Sequence, residues 1–134
     1  MSIEELRKQF IVDEDVLKTR LEPIITKALL HCKIGRTGEV IITNTSLSSK
    51  SKVGLTLVAR LLGSELDQSI PPDVTVREIF KSTGLPDNQI RARAKELVAD
   101  KIAVSPAPGT FRALPYKVEG FLDQLQIPIA AVGA

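Results

Sequence analysis

Residues 75–114 read TVREIFKSTGLPDNQIRARAKELVADKIAVSPAPGTFRAL, and their reading decides the fold. Thr75 and Glu78 have the spacing of a capping box, in which the hydroxyl and the carboxylate each satisfy an orphan amide at a helix start. A helix is therefore predicted from Val76. Val76, Ile79 and Phe80 recur at i, i+3 and i+4, and Gly84 offers the left-handed conformation that ends such a helix. Pro86 suits the first position of a second helix, because its missing amide would be unpaired there anyway, and Asp87 complements the N-terminal dipole.

In that second helix Ile90, Ala94, Leu97 and Val98 fall within about 100° of arc and define the buried side. Asn88, Ala92, Lys95 and Ala99 project roughly opposite, Gln89 and Arg93 flank one side and Arg91 the other. No acid stands between Asn88 and Lys95. Asn and Gln can bridge adenine edges, Arg can fork onto guanine, and Ala lets a backbone come close, which is what a helix entering a major groove needs. A second reading of the arginines stands beside this one. Arg91 can pair with Asp87 at i−4 and Arg93 with Glu96 at i+3, each contact contributing a few tenths of a kcal/mol.

Working outward, 102–105 and 110–114 are β-compatible runs separated by Pro106-Ala107-Pro108-Gly109, the pattern of a hairpin. Pro115 can open a closing amphipathic helix carrying Val118, Phe121, Leu122 and Leu125. Upstream, a helix from about Lys50 to Asp67 is apolar over most of its circumference. Only Lys52, Thr56, Arg60 and Ser64 form a polar ridge, so the helix is expected to be buried between other elements. Residues 69–74 connect it onward, with room for a short strand just before Thr75.

Ser2 and Glu5 form another candidate capping box, opening a helix that ends near Phe10, and Asp13 reads as a new cap. From Asp15 to Cys32 the apolar residues follow helical spacing, interrupted by Pro23, which predicts a kink or two successive helices. Gly35-Arg36-Thr37-Gly38 is a turn ahead of the β-branched run 40–43, so a strand or hairpin follows. It is not a phosphate-binding loop, since neither a Walker pattern nor a Gly-x-Gly-x-x-Gly helix start is present.

The order of helix, capped helix, Gly84-Leu85-Pro86 turn, Ile90-x-x-Arg93-x-x-x-Leu97 helix and Gly109-x-Phe111-Arg112 hairpin is similar to winged helix-turn-helix proteins. It most resembles the small archaeal and bacterial transcription regulators of that superfamily. The resemblance covers residues 50–125, and it implies a recognition helix at about 87–100 and a wing over the adjacent minor groove. It also implies a dimer built from flanking helices. The expected class is mainly α with a small β wing. Residues 1–45 form an N-terminal helical extension with a short strand or hairpin, 46–126 the winged domain and 127–134 an apolar tail. Two departures are the single charge of the wing, Arg112, and Ala92 at a position where many relatives place a polar contact.

Composition narrows the function classes. The 134 residues are 43% hydrophobic, enough to bury a core, yet hold no Trp, one Tyr and four Phe. The scarcity of aromatics argues against sheets or barrels that stack single-stranded bases. Cys32 is the only cysteine and His31 the only histidine, too small a set for a structural zinc, and one His with one Cys offers no nucleophile beside an evident base. No enzyme activity, metal or cofactor is expected. The absence of any apolar run near 18 residues or of a signal-like start, with a lone cysteine, points to a cytoplasmic protein without a membrane segment.

Net charge is only +2, but residues 31–60 carry five bases against one acid, and 61–74 carry three acids and no base. The expected function is therefore duplex DNA binding by a cytoplasmic, homodimeric transcriptional regulator, with the N-terminal helices forming the dimer. Asn88, Gln89, Arg91, Ala92, Arg93 and Lys95 would lie along the groove, and Lys50, Lys52 and Arg112 would contact phosphates. The rival from another class is a winged-helix protein-interaction module in a transcription, replication or ribosome-associated assembly, which the modest charge and plain wing favour.

Overall fold

The computed structural model describes residues 2–10 and 16–127. The chain is mainly helical with two small antiparallel sheets. Helices α1 (Ile3–Phe10), α2 (Val16–Thr19) and α3 (Leu21–Ala28) are followed by a hairpin of β1 (Cys32–Ile34) and β2 (Val40–Ile42). The long helix α4 (Ser49–Leu66) leads to β3 (Val74–Thr75), α5 (Val76–Thr83) and α6 (Asp87–Ala99). A second hairpin, β4 (Ala103–Ala107) and β5 (Thr110–Ala113), precedes a 3-10 turn at Pro115–Lys117 and the closing helix α7 (Val118–Asp123). β5 is the middle strand of the second sheet, between β3 and β4.

The decisive stretch folds as its chemistry dictates. Thr75 Oγ1 accepts from the Glu78 amide (3.2 Å) while Glu78 Oε1 accepts from the Thr75 amide (3.3 Å), so both halves of the capping box form. Gly84 ends α5 at φ 71°, and Gly109 turns the second hairpin at the same φ, both conformations that a Cβ disfavours. Pro86 sits one residue earlier than predicted. It is extended (φ −61°, ψ 151°) and precedes α6 rather than opening it, and its carbonyl takes the Ile90 amide (3.0 Å).

α4 is the axis of the core. Every residue from Val53 to Gly63 is buried, including Thr56 and Arg60 of the ridge expected to be polar. Thr56 resolves its burial by donating to the Lys52 carbonyl (2.9 Å), whereas Arg60 bonds Glu78 of the α5 cap through Nη2 and keeps a buried Nε with no partner among the described residues. α5, α6, β5 and the first hairpin all pack on α4. These elements cover the middle of the ridge and leave Thr56 and Arg60 no solvent face, while Lys52 and Ser64 at its ends stay half-buried.

The core does not stop at residue 45. Leu17, Ile24, Ala28, Cys32 and Val40 belong to the same cluster as Val53, Leu57, Leu97 and Phe121. Arg20 and Lys27 clasp this N-terminal part to α7. Arg20 bonds both Glu119 oxygens (2.8 and 2.7 Å), and Lys27 Nζ lies 2.8 Å from Glu119 and from Asp123. The two cations hold the Glu119 carboxyl down to about 2.

The two successive helices expected over the N-terminal third form, with the break shifted, and the end of the second differs. The break after α2 falls at Arg20 (φ −123°, ψ 22°), and Pro23 lies in the first turn of α3, where its missing amide leaves no bond unmade. The helix also stops at Ala28 instead of running to Cys32. The His31 carbonyl accepts from the Thr43 and Asn44 amides (2.8 and 3.0 Å), so pairing with the hairpin outcompetes the helical spacing. The proposed cap at Asp13 and the tail beyond Ile127 lie outside the described residues.

The same corner buries a polar pair, His31 and Asn44. Asn44 Nδ2 donates to His31 Nδ1 (2.9 Å) and to the Gln126 carbonyl (2.7 Å), and Asn44 Oδ1 accepts from the Ser46 amide (3.1 Å). An amide nitrogen only donates, so Nδ1 must be unprotonated and the neutral ring carries its proton on Nε2. Burial lowers the His31 pKa from its ordinary 6.5. The unfolded chain therefore takes up this proton first. Stability is whole above about pH 6.5 and falls as the pH drops below it, by at most about 1.4 kcal/mol per pH unit for one proton. Thermal midpoints of the wild type and His31→Gln between pH 7.5 and 5.5 check this. The wild type should lose more, and parallel curves would contradict the assignment.

Candidate nucleic-acid interface

The exposed side of α6 and the second hairpin face each other across an open groove. Asn88, Arg91, Ala92, Lys95 and Val98 line it from the helix, and Ser105, Gly109 and Phe111 from the hairpin. The helix is held by Ile90, Ala94 and Leu97, all fully buried, which turns the Asn88, Ala92 and Lys95 side outward. The hairpin is held by Phe111 and Ala113, which alternate inward on β5. Arg91 Nη1 lies 3.8 Å from where a Cβ on Gly109 would stand, so this guanidinium sits between helix and hairpin tip. A side chain at 109 would meet it at ordinary contact distance and is disfavoured by the backbone instead.

The sequence candidates divide between this groove and other surfaces. Asn88, Arg91, Ala92 and Lys95 come together on it. Gln89 turns instead toward the start of α4, and Arg93 also lies off the groove. Gln89 Nε2 donates to Ser49 Oγ (3.1 Å), Arg93 pairs with Glu96 (3.2 Å), and Arg93 Nε is buried with no partner among the described residues. The crossing of α4 on α6 claims that flank. Ser48 caps α4 through the Ser51 amide (3.2 Å), and Lys50 reaches Asp100 (2.5 Å) at the far end of α6. Lys52, one turn into α4, is half-buried.

Arg112 lies apart from both groups. It alternates with Phe111 along β5, so it projects from the other side of the strand, and it bonds Asp73 (2.5 Å). The three residues expected to touch phosphate thus do not form one surface. Lys50 reaches the end of α6, Lys52 sits half-buried on α4, and Arg112 serves the connection into β3.

Charge on the groove is modest. Arg91 Nε bonds Asp87 Oδ2 (2.8 Å), the i−4 pairing open to it from the sequence. With both partners more than half exposed, that pair contributes little and yields readily to a stronger anion. Lys95 is exposed and has no ion pair among the described residues. Lys101, exposed in the left-handed conformation (φ 62°) between α6 and β4, is a cation the motif reading passed over, but it does not line the groove. Ser105, Gly109 and Phe111 were read as hairpin residues only. Their position against the helix depends on the sheet packing that no local spacing encodes.

Among the described residues no cluster of three His, Cys, Asp or Glu could hold a metal, and no helix is long and apolar enough to cross a membrane. Burial pushes the Cys32 thiol up to about 11, so it stays a neutral small hydrophobe rather than a nucleophile. Comparison with protein-family models, curated proteins and solved structures finds no match to this chain.

Proposed function

We propose that this protein is a winged helix-turn-helix that binds duplex DNA, with α6 as the recognition helix and the β4–β5 hairpin as the wing. One observation carries the reading. An exposed helix face bearing Asn88, Arg91, Ala92 and Lys95 shares an open groove with a hairpin, while the opposite face of the helix is anchored in the core. A helix so presented is of the size a major groove admits, and the small Ala92 permits close approach. In this docking Asn88 and Arg91 reach base edges, Lys95 reaches a phosphate, and Lys50 and Lys52 meet the backbone beside the start of α4. A transcriptional regulator fits these features.

A specific observation favours a second reading, a protein-interaction module. Arg91, Arg93, Lys50 and Arg112 all have acidic partners, which weakens the field that would draw phosphate.

Fluorescence anisotropy on a random-sequence duplex across a salt series separates the two. Phosphate contacts release counterions, so affinity should fall steeply as salt rises, and each lost contact should reduce the slope by roughly one. Arg91→Ala with Lys95→Ala is expected to weaken binding at least about tenfold while leaving the fold intact, since neither residue belongs to the buried stripe. Salt-independent or absent binding would move the assignment to the interaction module.

A further inference from the structure

Two apolar surfaces of the described chain stand uncovered, and they complement each other. The first is on α1, where Ile3 and Leu6 lie one turn apart with exposures of 78% and 48%. The second is a groove between α3 and α4, closed at one end by β1. Ala28, Cys32 and Leu62 form its floor, and Leu29 and Leu66 are exposed at its rim. It encloses about 270 Å³. Ile25 and Leu66 also line a shallower depression that carries the groove on to the α2–α3 corner.

We propose that α1 of one protomer lies in the α3–α4 groove of a second copy, and that the exchange is reciprocal. α1 and α3 each have eight residues, about 12 Å of helix, so the ligand helix matches the wall beside which it would lie. Ile3 and Leu6 at i and i+3 are the anchors by which an amphipathic helix fills such a groove.

Charge sets the direction. Lys33 stands at the β1 end of the groove, and Glu22, the only acid lining either depression, stands beside Lys18 at the other. Glu4 and Glu5 occupy the first turn of α1 and Arg7 follows them. The start of α1 therefore points toward Lys33 and its end toward Glu22.

The occupant is a second copy because in this chain the helix stripe and the groove are open at the same time. A two-fold exchange covers both surfaces on both protomers and makes two identical contacts, which is how short helices approach the roughly 1,200 Å² of a specific interface. The inference stands whether or not α6 reads DNA.

Sedimentation equilibrium of the full chain at micromolar concentration tests it. The wild type is expected to be a dimer. Leu6→Asp on the helix and Leu66→Asp at the rim, both at exposed positions, should each weaken dimerisation at least tenfold with an unchanged circular dichroism spectrum. Mixing the two variants should restore part of the association, because the intact α1 of the Leu66→Asp chain still meets an intact groove on the Leu6→Asp chain. A monomeric wild type overturns the proposal, as does a dimer indifferent to either substitution or a mixture no tighter than its components.

Discussion

Leu97→Ala is expected to lower the free energy of unfolding by about 2–5 kcal/mol, the range for truncating a buried Leu. Leu97 has no exposed surface and belongs to the central cluster with Val53, Ile90, Ala94 and Phe121. It stands where α6 crosses α4, close enough that a Cβ placed on Gly54 would approach its Cδ2 to 3.3 Å. The surrounding residues come from three helices whose positions are set by many other contacts, so they cannot all move in to fill the gap. Urea unfolding gives the measurement, with an unchanged slope as the sign that only stability has altered. A loss below half a kcal/mol would mean that α6 presents a different side to the core, and the exposed face proposed to meet DNA would then be misplaced with it.

Gly54→Ala should destabilise by about 1–3 kcal/mol, although alanine is the better helix former by about 1 kcal/mol. Gly54 lies inside α4, where a Cβ would stand 2.6 Å from Cε2 and Cζ of Phe121. Real carbon atoms do not approach so closely, so the ring must leave its place. Phe121 is itself buried on α7, and shifting it disturbs the seam that α4, α6 and α7 share. The strain should therefore exceed the propensity gain, and thermal or urea unfolding beside the wild type would show it. A variant more stable than the wild type would mean that α7 is free to slide on α4.

Much of the decisive stretch was legible because its signals are local. The capping box at Thr75 and Glu78 needs only residues three apart, and Gly84 needs only its own backbone, so α5 and its end were readable from the chain. The buried stripe of α6 followed from spacing alone, since Ile90, Ala94 and Leu97 repeat with the helix. The second hairpin and the strand at Val74–Thr75 came from turn residues and position in the same way, although β4 runs on through Pro106 and Ala107, which the turn pattern assigns to the loop.

Elsewhere spacing misled where a distant partner intervened. The apolar periodicity running through Leu29 to Cys32 is helical, yet the His31 carbonyl is taken by the Thr43 and Asn44 amides and the chain turns into a strand. Thr56 and Arg60 read as the polar side of α4 because a helical wheel shows polarity and not neighbours. Arg60 is buried because Glu78, eighteen residues on, is brought to it. Gln89 and Arg93, read as flanking α6 opposite Arg91, lie off the groove, Gln89 bonded to Ser49 at the start of α4 and Arg93 to Glu96.

The sequence by itself determined the helices that carry their own caps and periodicities, the turns that need glycine, and an aliphatic core with a single histidine and cysteine. Tertiary structure alone decided which side of α6 stays open, which bases are already paired with acids, and that the N-terminal third shares the core of the rest. The reason is physical. Capping and amphipathic spacing are satisfied within a few residues, whereas burial, ion pairing and groove shape depend on elements far apart in the chain, whose approach no local pattern records.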